Sequence, residues 1–229
     1  MPPRFDLYTP IHKALRAALF HTQGQLGQTD WRQPSDRQAT LEDAQALLQL
    51  MRAHLGHEND FVHPAMETAL PGSSRDVADD HRAHAHDIAS LEADVSALQA
   101  APAERAGALG LALYRRFSAF VAHNLTHMLV EEEAHNALLW ASLDDTALIA
   151  LHDRLVASIP PQDMLASLRW MAKGLSVPEL AELLNGLRDN NPPAFQAALD
   201  EVRRWLDAPR EARLCGALGL APVPDLIPA

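Results

Sequence analysis

Residues 40–64 read TLEDAQALLQLMRAHLGHENDFVHP, and the spacing of their apolar side chains decides the fold class. Leu47, Leu48, Met51, Leu55 and Phe61 recur at helical intervals, with none of the strict alternation a half-buried strand needs. The same period continues on both sides. A first helix is expected over about residues 8–24, with Leu15, Ala18 and Leu19 on its buried face. A Gly/Gln/Asp/Pro-rich loop over 24–35 follows, and Ser35 or Thr40 can cap the second helix. Pro64 should kink or end that helix, because proline brings no backbone N–H. After the break at Pro71-Gly72-Ser73-Ser74, a third helix is expected over about 76–99, carrying Ile88, Leu91, Val95 and Leu98. A fourth starts at Pro102 and runs to about residue 142. Four amphipathic helices with short connections predict an all-α fold, an up-down-up-down four-helix bundle over residues 1–142. Residues 143–229 keep helical spacing in shorter pieces, broken at Pro160-Pro161, Pro178, Pro192-Pro193 and Pro209. They are expected to form a C-terminal helical extension packed on or beside the bundle.

Composition narrows the partners. The 229 residues are 48% hydrophobic but only 5% aromatic, a balance that favours helix over sheet. A formal net charge of -11, with no Lys/Arg cluster longer than a pair, argues against nucleic acid and against an anionic membrane surface. No stretch approaches the ~20 apolar residues of a spanning helix, and no apolar run follows Arg4 as a signal peptide requires. The single cysteine, Cys215, suits the cytoplasm, where the protein is expected.

Histidine is the unusual residue, at 12 per chain. His54 and Glu58 are four apart on the second helix, as are His127 and Glu131 on the fourth. That spacing puts each pair on one helix face, a nitrogen and an oxygen aimed at the same place. A single His-x-x-x-Glu pair is common by chance. Here His12 and His81 add one imidazole from each intervening helix, and a bundle interior builds metal sites in this way. One cysteine cannot make a thiolate zinc site. Four histidines and two carboxylates exceed one tetrahedral ion but suit two, if Glu58 and Glu131 each bridge both. A di-iron centre is the first choice, with manganese, zinc or mixed metals as alternatives. His57, His84 and His123 are candidates for an additional ligand. His63, His135 and His152 are expected at the surface, and of Glu131, Glu132 and Glu133 only the first should face inward.

The order His, His-x-x-x-Glu, His, His-x-x-x-Glu on four successive helices resembles the bacterial hemerythrin-like (HHE cation-binding) domain. The likeness covers about residues 8–142. His54-Leu55-Gly56-His57-Glu58, continuing to Pro64, is similar to the family's His-x-x-His-Glu segment with its proline six residues after the glutamate. Asp79-Asp80-His81 resembles the acidic residue and histidine that open the family's third helix. The stretch after His127 follows the pattern with Ala137 where proline is usual. Where oxygen carriers have a second third-helix histidine this chain has Ala85, and His127-to-Glu131 replaces their longer His-to-Asp spacing.

The resemblance implies a non-haem di-iron centre that meets a small diatomic or peroxide ligand. Glu58 and Glu131 would bridge, and His12, His54, His81 and His127 would be terminal ligands. The missing histidine weighs against reversible oxygen storage. The favoured expectation is a protein that binds or senses oxygen, nitric oxide, peroxide or iron status, more a sensor than an enzyme. A di-iron enzyme reducing peroxide or another oxidant is the alternative. A metal-bearing scaffold that forms a homodimer through its extension is the third reading.

Overall fold

The computed structural model describes residues 4–221; residues 1–3 of the expected bundle and 222–229 of the expected extension lie outside the described residues. The order along the chain is α1 (Thr9–Gln28), α2 (Pro34–His57), a π-helical turn (Glu58–Val62), α3 (His63–Ala69), α4 (Arg75–Gln99) and α5 (Ala103–Val130). A second π-helical turn (Glu131–His135), α6 (Asn136–Ser142), α7 (Asp145–Ser158), α8 (Pro161–Gly174), α9 (Val177–Asn190), α10 (Pro192–Arg203) and α11 (Ala208–Leu218) follow. The fold is all-helical among the described residues. No helix among them is long and apolar enough to cross a membrane.

The helix ends show which local signals operate. Asp6 Oδ1 accepts from the backbone N–H of Tyr8 and Thr9 at 2.9 and 3.0 Å, which fixes the start of α1. Gly24 does not end that helix; α1 runs to Gln28 and closes with the Thr29 N–H on the Gln25 carbonyl. Neither Ser35 nor Thr40 caps α2, which opens on Pro34, a position where the missing N–H has no helical partner to lose. Pro102 precedes α5 instead of starting it. Pro64 does not stop its helix either. The wide π turn just before it changes the hydrogen-bond register, and the helix continues to Ala69. Gly72, at φ +86, makes the left-handed turn between α3 and α4.

Among the described residues, 4–9 together with Ala18–Ile159 form one compact unit, and Pro10–Ala17 together with 160–221 form a second. In the first, Arg52 bridges Glu92 and Asn59 meets His81, so α2 and α4 run antiparallel. Asp94–Arg116 and Asp87–His123 set α4 against α5 in the same sense. Gln23–Ser118 and Tyr8–His135 do so for α1 and α5. Leu19, Leu47, Leu48, Met51, Ile88, Leu91, Leu98 and Phe117 are buried in this unit, each full aliphatic or aromatic side chain contributing about 1.5–3 kcal/mol on burial. The unit continues past Ser142 because α7 is tied to its first residues. Arg4 Nε donates to Asp145 Oδ1 at 2.6 Å, and Leu148 packs with Tyr8, Val62, Met66 and Leu139.

The second unit has an apolar core of Leu168, Leu180, Leu184, Leu199, Val202 and Leu214. Ser176 and Glu179 form a capping box at α9, while Asn191 and Asp207 accept from backbone N–H groups at the starts of α10 and α11. Lys13 Nζ lies 2.6 Å from Glu179 Oε1. Burial raises the Glu179 carboxyl, but its hydrogen bonds from Lys13 and Ser176 outweigh that and bring it to about 2. Gly174 packs directly on the Lys13 carbonyl, where a Cβ would collide.

Candidate metal centre

The last turns of α2 and α5 each deliver an imidazole, and the first residue of the π turn that follows each delivers a carboxylate. His54 Nε2 lies 3.3 Å from Glu58 Oε1, and His127 Nε2 lies 3.3 Å from Glu131 Oε1. From α4, His81 Nε2 stands 3.5 Å from Glu58 Oε2 and 3.5 Å from Glu131 Oε1. Glu58 is 3% exposed and Glu131 0%, so both carboxylates sit in the interior. Glu132 and Glu133 face outward in increasing degree, as the spacing predicts.

Two sets of four donor residues emerge. One atom each from Glu58, His81, His127 and Glu131 lies within 4.8 Å of the others. His12, buried on the unbroken helix α1, joins His54, Glu58 and Glu131 in a second set within the same limit. Each set holds two imidazoles and two carboxylates, and both share Glu58 and Glu131. All six residues singled out in the sequence belong to one set or both, and the clusters could hold a metal ion.

The protonation pattern fits a cation. His81 Nδ1 donates to Asn59 Oδ1 at 2.9 Å, which leaves the Nε2 lone pair aimed at two carboxylates. Burial pulls His81 down to about 4 against the opposing pull of Glu58, so the ring is neutral at pH 7. Burial and the neighbouring His84 bring His127 to about 2. Glu131 is pushed the other way, well above the ordinary carboxylate range, first by burial and then by the charge of Glu58. Lone pairs of neutral imidazoles and dry carboxylates converging on one point repel unless a proton or a cation lies between them. Imidazole with carboxylate is a donor set for first-row ions such as iron, manganese or zinc. Cys215, the one thiol, lies in the second unit.

Both glutamates are the first residue of a π-helical turn. The His63 N–H reaches the Glu58 carbonyl and the Asn136 N–H reaches the Glu131 carbonyl, each five residues on. A π turn inserts about one residue into the helical register, so the side chains beyond it rotate relative to an α-helix. Two histidines expected at the surface are buried instead. His63 is 6% and His135 7% exposed. In an α-helix His63 would stand about 140° around from Glu58; the π turn brings it to the buried side. For His135 a signal was present, since it lies four residues after Glu131. Its Nδ1 is 3.4 Å from the hydroxyl of buried Tyr8. The third, His152, is half-buried with its ring edge-on to Phe5.

Among the candidates for additional ligands, none joins the two donor sets. His84 is fully buried, its ring 4.6 Å from that of His127. Burial and His123 lower it to about 3. His123 stacks on His84 at 4.1 Å and is half-exposed, with Asp87 at 3.7 Å. His57 is half-buried at the end of α2.

In comparisons with known proteins, the chain matches no family model, no curated protein and no solved structure.

Proposed function

We propose that this protein is a hemerythrin-like di-iron protein that binds or senses a small ligand, oxygen, nitric oxide or peroxide, or reports iron status. Helices α1, α2, α4 and α5 would form the up-down-up-down bundle, a reading supported by the antiparallel pairings α2/α4, α4/α5 and α1/α5. The observation that carries the proposal is the sharing of Glu58 and Glu131 between two buried sets of donors. On this reading Glu58 and Glu131 would be shared by two ions, one held also by His12 and His54 and the other by His81 and His127. Asn59 holds the His81 ring in the tautomer whose Nε2 is free to ligate. Bound iron would supply an open coordination position and exchangeable electrons. Binding is favoured over turnover because the donor imidazoles of His81 and His127 are buried and far from titrating at neutral pH, which suits ligands better than proton carriers.

The test is metal analysis after anaerobic loading with ferrous iron, followed by absorption spectra before and after exposure to oxygen or nitric oxide. Two irons per chain with a reversible spectral change support the proposal. Irreversible oxidation with sustained peroxide consumption points to the enzyme. No iron, or a single zinc per chain, overturns the proposal.

A further inference from the structure

Beyond the ends of α2 and α5 one imidazole beside the donor sets has a buried ring nitrogen without a hydrogen bond. His63 follows the first π turn, its backbone N–H on the Glu58 carbonyl, and its ring lies 4.7 Å from that of His81 at a tilt of 33°. Its Nε2 is buried and makes no hydrogen bond among the described residues. The matching position after the second π turn is Asn136, whose Nδ2 donates to Asp6 Oδ1 at 2.9 Å and to the Glu132 carbonyl at 3.1 Å, while its buried Oδ1, which can only accept, makes no hydrogen bond among the described residues. A buried ring nitrogen left open is unfavourable unless a bound group completes it. His63 is also not one of the donor atoms that gather within 4.8 Å of one another, so it stands one step outside the ligand set, against His81.

We propose that His63 is the residue that meets the exogenous ligand: its Nε2–H donates a hydrogen bond to a small anion bound on the ion held by His81 and His127. This rests on the two-metal reading above. A donor in that place selects ligands whose outer atom can accept, such as azide or a peroxide anion, over ligands of similar size that cannot. The contact of His63 with His81 places this selection on the His81/His127 side of the centre, and at the matching position the only donor of Asn136 is already engaged.

The probe is azide, titrated optically into the iron-loaded full chain. His63→Phe and His63→Leu remove the donor while keeping an apolar volume, and His63→Gln keeps a donor. The expected result is two irons in every variant, azide affinity about 10-fold weaker in the Phe or Leu variant, and most of that loss restored by Gln. Leu serves if Phe does not fold. Unchanged azide affinity in the folded Phe or Leu variant overturns the proposal. So does a fall to one iron per chain, which would make His63 a metal ligand. Wild-type protein that takes up no iron sinks the parent reading instead, and is seen before any azide is added.

Discussion

Residues 54–69 and 127–142 are two versions of one device. His54 matches His127, Glu58 matches Glu131, and each glutamate opens a π turn followed by a seven-residue helix, α3 or α6. Met66 and Leu139 are buried at matching positions, and Leu70 and Leu143 close the two helices on them. The sequences otherwise differ. Pro64 stands where the second stretch has Ala137, His63 where it has Asn136, and Val62 where it has His135. The π turn is therefore not a consequence of proline, because the second forms without one. What the two share is a buried carboxylate one turn after a buried imidazole. Their differences lie in what surrounds it, and there the first stretch places an open imidazole nitrogen while the second places an amide whose donor is engaged.

The largest expected effect breaks both stretches alike. Glu58→Gln and Glu131→Gln should each abolish two-ion loading, read as iron per chain, if the carboxylates are shared. The metal-free proteins should part company for Glu131. Its carboxyl is raised by burial and by Glu58, so ionising it at neutral pH costs stability that a neutral amide recovers. Glu131→Gln should stabilise the metal-free fold by roughly 1–3 kcal/mol, measured by urea unfolding. A destabilised metal-free variant would contradict this.

Acid provides the next test. His81, His84 and His127 are lowered by burial to about 4, 3 and 2, whereas in the unfolded chain they titrate near 6.5. Below 6.5 the unfolded state binds more protons than the folded one, so their stabilisation is lost as pH falls. For three groups the slope reaches about 4 kcal/mol per pH unit. Glu131 acts in the opposite sense, recovering stability as pH falls through its raised value. The metal-free unfolding midpoint should still drop steeply between about pH 6 and 5. A flat profile would mean that the imidazoles are not held neutral by burial.

Two smaller effects sharpen the comparison. Asn59 accepts from His81 Nδ1, so Asn59→Ala should weaken iron binding by roughly 10–100-fold while the protein still folds, as loss of an orienting partner does. Unchanged affinity would remove Asn59 from the site. Ala137→Pro copies the first stretch into the second. Proline inside an α-helix costs ~3 kcal/mol or more, but at the position matching Pro64, just beyond a π turn, the cost should stay below about 1 kcal/mol. A full α-helical penalty would show that the two π turns are not equivalent.

Leu47, Leu48, Met51, Ile88, Leu91, Val95 and Leu98 are buried as their 3.6-residue period requires. Within the pairs His54/Glu58 and His127/Glu131 the donors converge because i, i+4 spacing puts two side chains on one helix face, while His12 and His81 join them from α1 and α4. The π turns left no trace in propensity or period, since a hydrogen bond to the fifth residue back changes register without changing composition. An uninterrupted helical period places His63 at the surface, and the π turn carries it inward. His135 was legible by its spacing from Glu131 but was obscured by the acidic run beside it. The continuation of the first unit through α7 depended on Arg4 and Asp145, 141 residues apart, a pairing no local pattern contains.

The central claim is that Glu58 and Glu131 are held in common by two ions. The most direct test is anomalous diffraction at the iron edge from crystals of the iron-loaded protein. Two peaks should appear, one beside His12 and His54, the other beside His81 and His127, with both carboxylates between them. A single peak, or iron only at surface residues, would contradict the account.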